Sequence, residues 1–194
     1  MSVLSPPRHP KTDHALALAR QWCAGHVIDA APALKHAVAV ALTLDRHMPQ
    51  HPPELTAAVL LHDAPEFAPP TVDLDTLLTD RFGAETTRIV RTLETFHQAL
   101  HDGTPPNIDP ADTPTMLAAT ADKIVAFSSI LGRANQSGEP GAFWRARKPF
   151  RDRLPWFRAF HAEAAARVPD PMSAELAQLL AAAETATGFA PTDR

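Results

Sequence analysis

The chain has 194 residues, 45% of them hydrophobic, which is enough for one well-buried core, so one domain is the expected count. Its net charge of −4 and pI near 6.2 leave no global basic field for a nucleic-acid polymer. The single cysteine, Cys23, excludes an intramolecular disulfide and fits a reducing cytoplasm. Beside Trp22 it reads as a small buried apolar group rather than a nucleophile. No stretch approaches the roughly 20 apolar residues of a membrane helix, and the first residues lack the apolar segment of a signal peptide. A cytoplasmic protein with no membrane partner is therefore expected.

The pattern is helical nearly throughout. Ala, Leu, Arg and Glu dominate, and no sustained two-residue alternation bounded by turns appears. The chain holds 20 prolines and 7 glycines, and prolines cost little at first turns and in loops. A first helix is expected over about 12–25, starting near Thr12 or Asp13, and a second over about 33–46, with Leu34, Ala37, Val38 and Ala41 at helical spacing. Pro52-Pro53 opens a third through Leu55, Ala58, Val59 and His62; Pro65 should end or bend it at Ala64. A short helix over 72–82 closes at Gly83, and a longer one over 84–101 turns Ile89, Val90, Leu93, Phe96 and Leu100 inward. Residues 102–112 are a loop, Asp112-Thr113-Pro114 starts a helix to about 133, and 135–141 is a second polar loop. An aromatic and basic block over 143–160 and a last amphipathic helix from about 173 complete the chain. The expectation is an all-α single helical bundle over 1–194, with a core at about 13–135 and a C-terminal helical extension at about 142–188.

One dipeptide stands out. His62-Asp63 ends the apolar run Ala57-Ala58-Val59-Leu60-Leu61 and is followed by Ala64-Pro65-Glu66. His36, inside Leu34-Lys35-His36-Ala37-Val38, and Asp122, inside Ala121-Asp122-Lys123-Ile124, lie on other expected helices. Two imidazoles and two carboxylates suit Mn²⁺, Fe²⁺, Co²⁺, Ni²⁺ or Mg²⁺ better than a thiolate site would. Four such ligands on an octahedral ion leave about two positions for water and a substrate oxygen. Buried carboxylates are costly unless paired or metal-bound. Taken alone, His36 reads as a satisfied core histidine and Asp122 as the partner of a nearby cation. Glu66 follows Asp63 by three positions and His62 by four, so a helical turn would set it beside them.

The order of these residues resembles the HD superfamily of metal-dependent phosphohydrolases, and within it the hydrolase domain of RelA/SpoT proteins and the small stand-alone alarmone hydrolases. Leu34-Lys35-His36-Ala37-Val38-Ala39-Val40 is similar to the family's N-H-P-x-x-V-A helix, and Ala57 to Asp63 to its A-A-L-L-H-D. Phe82-Gly83-Ala84-Glu85 resembles F-G-x-x-V, Ala121 to Ile124 resembles A-D-K-L, and Phe143-Trp144 with Leu154-Pro155-Trp156-Phe157-Arg158 resembles a tail of related bacterial proteins. The resemblance implies a helical domain in which His36, His62, Asp63 and Asp122 hold one divalent ion, Mn²⁺ favoured. It implies that Glu66, with Asp63, handles the attacking water. It also implies a nucleotide substrate, with removal of a 3′-pyrophosphate from an alarmone as the leading reaction. The alternatives are a 5′-nucleotidase or triphosphohydrolase with the same ligands, a di-iron oxygenase, and a non-catalytic nucleotide sensor. The chain departs from the family's acid at Phe67, from its asparagine at Ala126 and from the residue before the first histidine at Lys35.

Arg20, Lys35, Lys123 and Arg145 are the candidate substrate contacts. Adjacent helical residues point about 100° apart, so neither lysine is assured of facing the site, and Lys123 is expected to pair with a surface acid. Arg145, Arg147, Lys148, Arg151, Arg153 and Arg158 are expected to form a solvated face or the subunit contact of a homodimer. His97 and His101, four apart, are expected as exposed helix-end histidines, a second metal being the alternative. Trp144, Trp156 and Phe157 are expected to pack rather than to stack on a base.

Overall fold

The computed structural model describes residues 2–28, 30–109 and 111–189, and these residues form eleven helices and one two-stranded hairpin, an all-α fold. Helix α1 (Pro10–Trp22) carries Pro10 in its first turn, and His9 caps it by accepting from the Lys11 amide. Leu16, Ala19 and Trp22 lie on its buried face. It stops short of the expected residue 25 because Gly25 takes a φ of 81°, left-handed backbone that turns the chain away. The chain enters β1 (Val27–Ile28) and β2 (Ala31–Pro32), antiparallel, with Ile28 opposite Ala31. Strands of two residues leave no readable alternation, so this hairpin is invisible in the sequence.

Helix α2 (Ala33–His47) follows directly from the hairpin. Helix α3 (Pro53–Leu60) is buried at every position from Leu55 to Leu60, the signature of a central helix. It ends two residues before His62 rather than at Ala64. Leu61, at φ −116° and ψ 11°, leaves the helical path, and a new helix, α4 (Ala64–Phe67), begins after Asp63. Pro65 falls in the first turn of α4, where its missing N–H costs nothing. The proline thus starts a helix instead of ending one.

Helix α5 (Leu74–Phe82) is capped by Asp73, which accepts from the Thr76 amide, and closes at Gly83, φ 97°. Helix α6 (Ala84–Asp102) and helix α7 (Thr113–Gln136) flank a loop, and Asp112 caps α7 by accepting from the Thr115 amide. The C-terminal part is α8 (Pro140–Arg145), α9 (Lys148–Asp152), α10 (Leu154–Ala164) and α11 (Asp170–Thr187). The expected loop at 135–141 is shorter, and α11 begins earlier than residue 173, with Pro171 in its first turn.

Helix α7 packs against α2 on one side and α11 on another, while α3 sits among α1, α2 and α6. One buried cluster runs from Ala15 through Phe82, Phe96 and Phe127 to Ala183, so α10 and α11 share their core with the N-terminal helices. Among the described residues, α7 is the one helix long and apolar enough to cross a membrane, and 67% of that stretch is buried inside the bundle. Its apolarity is that of a core helix, and Asp122 and Lys123 lie in its middle. Trp144, Trp156 and Phe157 are buried, and the Trp156 indole donates to the Thr104 carbonyl at 2.7 Å, so the three pack as expected.

Candidate metal centre

Three helices and one turn converge on Asp122. His36 lies one turn into α2, and its Nε2 lies 3.0 Å from Asp122 Oδ1. His62 and Asp63 occupy the turn between α3 and α4. His97, on α6, places Nε2 3.1 Å from Asp122 Oδ2, and the Lys123 ammonium donates to the same oxygen at 2.7 Å. His36, His62 and Asp122 each offer one atom within 4.8 Å of the others, a spacing that one ion can bridge.

The orientation of His62 decides what the cluster can do. Its Nδ1 lies 2.8 Å from the Val59 carbonyl oxygen. A carbonyl only accepts, so Nδ1 carries the proton, and in the neutral ring Nε2 presents a lone pair. That Nε2 is buried, 3.4 Å from Asp63 Oδ2 and 3.8 Å from Asp122 Oδ1. Neither His62 Nε2 nor Asp63 Oδ2 has a hydrogen-bond partner. Two buried acceptors face each other with no proton between them, an arrangement that is unfavourable until a cation joins them. The residues therefore fit a divalent ion, and the Nδ1 contact with Val59 fixes the tautomer such a ligand needs.

The electrostatics differ between the two histidines. Burial lowers the pKa of His62 and outweighs its acidic neighbours, so the ring is neutral. For His36 burial also opposes the cation, but the hydrogen bond and charge of Asp122 prevail and its pKa is raised. Burial would raise the Asp122 carboxyl; Lys123, His36 and His97 overcome it and hold the group well below its usual range. Cys23, whose thiol is pushed up to about 11 by burial and then by Asp63, remains a thiol and offers no nucleophile.

Two pockets adjoin the cluster. One, of about 370 Å³, is lined by His62, Asp63, Glu66, Glu94, His97 and His101, so α4 does carry Glu66 to the same opening as the His-Asp pair. The other, of about 390 Å³, lies between α2 and α7 and includes Lys35, His36, Arg46, Ile124, Ser128 and Ser129. Neither Arg20 nor Arg145 lines either pocket, and both side chains are exposed, so the structure does not bring these two to the candidate ligands. Lys123 is the opposite case. Expected to meet a surface acid, it is buried, pairs with Asp122 and lies 5.3 Å from the Phe96 ring centroid.

His97 is the residue that the sequence reading set aside. It is part-buried with its side chain 30% exposed, and it bonds the central carboxylate. Its position was legible: 97 follows Leu93 by four and Val90 by seven, on the inward stripe of α6. Phe67, where the resembled family has an acid, stacks on His26 with ring centroids 4.4 Å apart. It ties α4 to the segment before the hairpin. No family model matches the chain, and no curated protein shows a significant match to it. The site therefore stands on its own chemistry.

Proposed function

We propose that the chain is a metal-dependent phosphohydrolase acting on a nucleotide, with His36, His62, Asp63 and Asp122 as ligands of one divalent ion, Mn²⁺ favoured. The observation that carries the proposal is the facing pair of buried, partnerless acceptors, His62 Nε2 and Asp63 Oδ2, beside the charged Asp122. A divalent ion held there supplies a lowered water pKa and polarisation of a phosphoryl oxygen. Glu66, exposed on the wall of the same pocket, is placed to take or orient a proton of the attacking water. Lys35 and the hydroxyls of Ser128 and Ser129 meet the His36 side of the cluster, where Ile124 adds an apolar wall for a base. This ligand set agrees with the resemblance to HD phosphohydrolases and, within them, to alarmone hydrolases. The reaction preferred from that resemblance is removal of a 3′-pyrophosphate.

The test is product analysis of the Mn²⁺-loaded protein against alarmones, nucleoside monophosphates and triphosphates. Pyrophosphate from an alarmone supports the preferred reaction, and phosphate from a monophosphate makes the chain a 5′-nucleotidase instead. Metal bound with no product from any of them rejects the hydrolase reading. One observation favours a second reading, a di-iron oxygenase: His97 joins Asp122, and His101 lines the same pocket. Two irons per chain by elemental analysis would support it, and one metal per chain would remove it.

A further inference from the structure

A third pocket, of about 400 Å³, opens between α7 and the α8–α10 segment, and no step of the proposed reaction uses it. Its walls are apolar, built from Ala126 and Ile130 of α7, Phe150 of α9 and Phe157 of α10. Every ionisable group that lines it is a cation: Lys123, Arg147 and Arg153. Among the described residues, no acid pairs with either arginine. The Arg147 guanidinium donates to the Phe143 carbonyl and lies 3.5 Å from the Phe143 ring centroid. Arg153 donates to the Leu100 and His101 carbonyls at the end of α6. Bonds to backbone and stacking on a ring hold these guanidiniums in place while leaving their charge unneutralised. Lys123 is buried, and its one carboxylate partner, Asp122, is shared with His36 and His97.

A solvated basic face would scatter such side chains outward and pair them with acids, as Lys148 does with Asp152 and Arg158 with Glu184. Here two arginines of that block turn inward to a chamber with two aromatic walls. We infer that this pocket binds a small organic anion with an aromatic body, the charged group meeting Arg147, Arg153 and Lys123 and the ring lying against Phe150 and Phe157. The chemistry is shared by aryl sulfonates, aryl phosphates and aromatic carboxylates. The site does not depend on the proposed reaction.

Fluorescence titration of the intact protein with anilinonaphthalene sulfonate tests this. Saturable binding of one dye per chain is expected, and the neutral phenylnaphthylamine should bind at least about tenfold more weakly, since it forgoes the charge-assisted bonds. The double variant Arg147→Gln, Arg153→Gln should weaken the sulfonate about tenfold or more. Because those arginines also hold backbone carbonyls, melting curves accompany the titration, and Ala126→Leu provides a second variant that keeps all three cations but fills the chamber. It too should weaken the dye. Unchanged affinity in a folded double variant or in Ala126→Leu, or equal binding of the neutral dye, would overturn the assignment.

Discussion

The two nitrogens of His62 have different tasks. Nδ1 donates a hydrogen bond to the Val59 carbonyl, and that single bond aims the lone pair of Nε2 at two carboxylates. His62→Ala should therefore lower Mn²⁺ affinity by about 100-fold or more and remove hydrolysis with it, read by calorimetric titration and metal analysis. Full metal occupancy in the variant would reject the ligand assignment. Glu66 is the contrasting residue, because it lines the pocket without joining the cluster. Glu66→Gln should keep the metal and its affinity while kcat falls about 100-fold, the usual range for a lost general base. Loss of metal in that variant would move Glu66 from the water to the ligand set. At the same scale, Phe67 illustrates how a departure from a family pattern can be absorbed. Its ring finds His26, and the His36, His62 and Asp122 group forms without an acid there.

At the level of elements, the α3–α4 break makes the site. A continuous helix through His62 and Asp63 would point the two side chains about 100° apart. The turn at Leu61 instead leaves Asp63 Oδ2 3.4 Å from His62 Nε2, and the Asp63 backbone, at φ −91° and ψ 4°, sits in a sparsely used region common at functional sites. Helix α7 brings the other half, and its start depends on Asp112. Burial would raise the Asp112 carboxyl, but bonds from Arg88 and Thr115 hold it below its usual value. Asp112→Ala loses the cap and leaves Arg88 with only Glu85. A cost of about 1–2 kcal/mol is expected, seen as a melting temperature lower by about 2–8 °C. An unchanged melting point would show that α7 needs no cap.

On the scale of the whole molecule, the C-terminal helices are tied to the site through Glu175 of α11, which meets Arg46 and His47 of α2. Burial pushes the Glu175 carboxyl up, yet the bonds from Arg46 and His47 outweigh it, and its pKa lies below the ordinary 4.5. A carboxylate with a lowered folded pKa adds stability above its unfolded value, and that stability is lost as pH falls through the folded pKa. Melting temperature should thus decline below about pH 4.5, and Glu175→Gln should shrink part of that decline while lowering the neutral-pH melting point by about 2–4 °C. Identical pH profiles for the two proteins would remove this link from the account of the fold.

The sequence by itself determined the helical class and most helix bounds to within a few residues, and it singled out His36, His62 and Asp122, which the fold brings together. Those features are local: periodicity, caps and prolines act within a few residues of chain. Only the tertiary structure decided the rest. The hairpin is too short to show a period, and α3 ends at Leu60, earlier than the proline at 65 by itself dictates. Lys123 became buried because its neighbour in sequence is also its partner in space. His97 and Asp122, 25 residues apart, meet because α6 packs on α7, and Arg20 and Arg145 stay outside because their helices turn them to solvent. Which residues share a site depends on how helix faces pack across the bundle, and no spacing along one strand of sequence contains that.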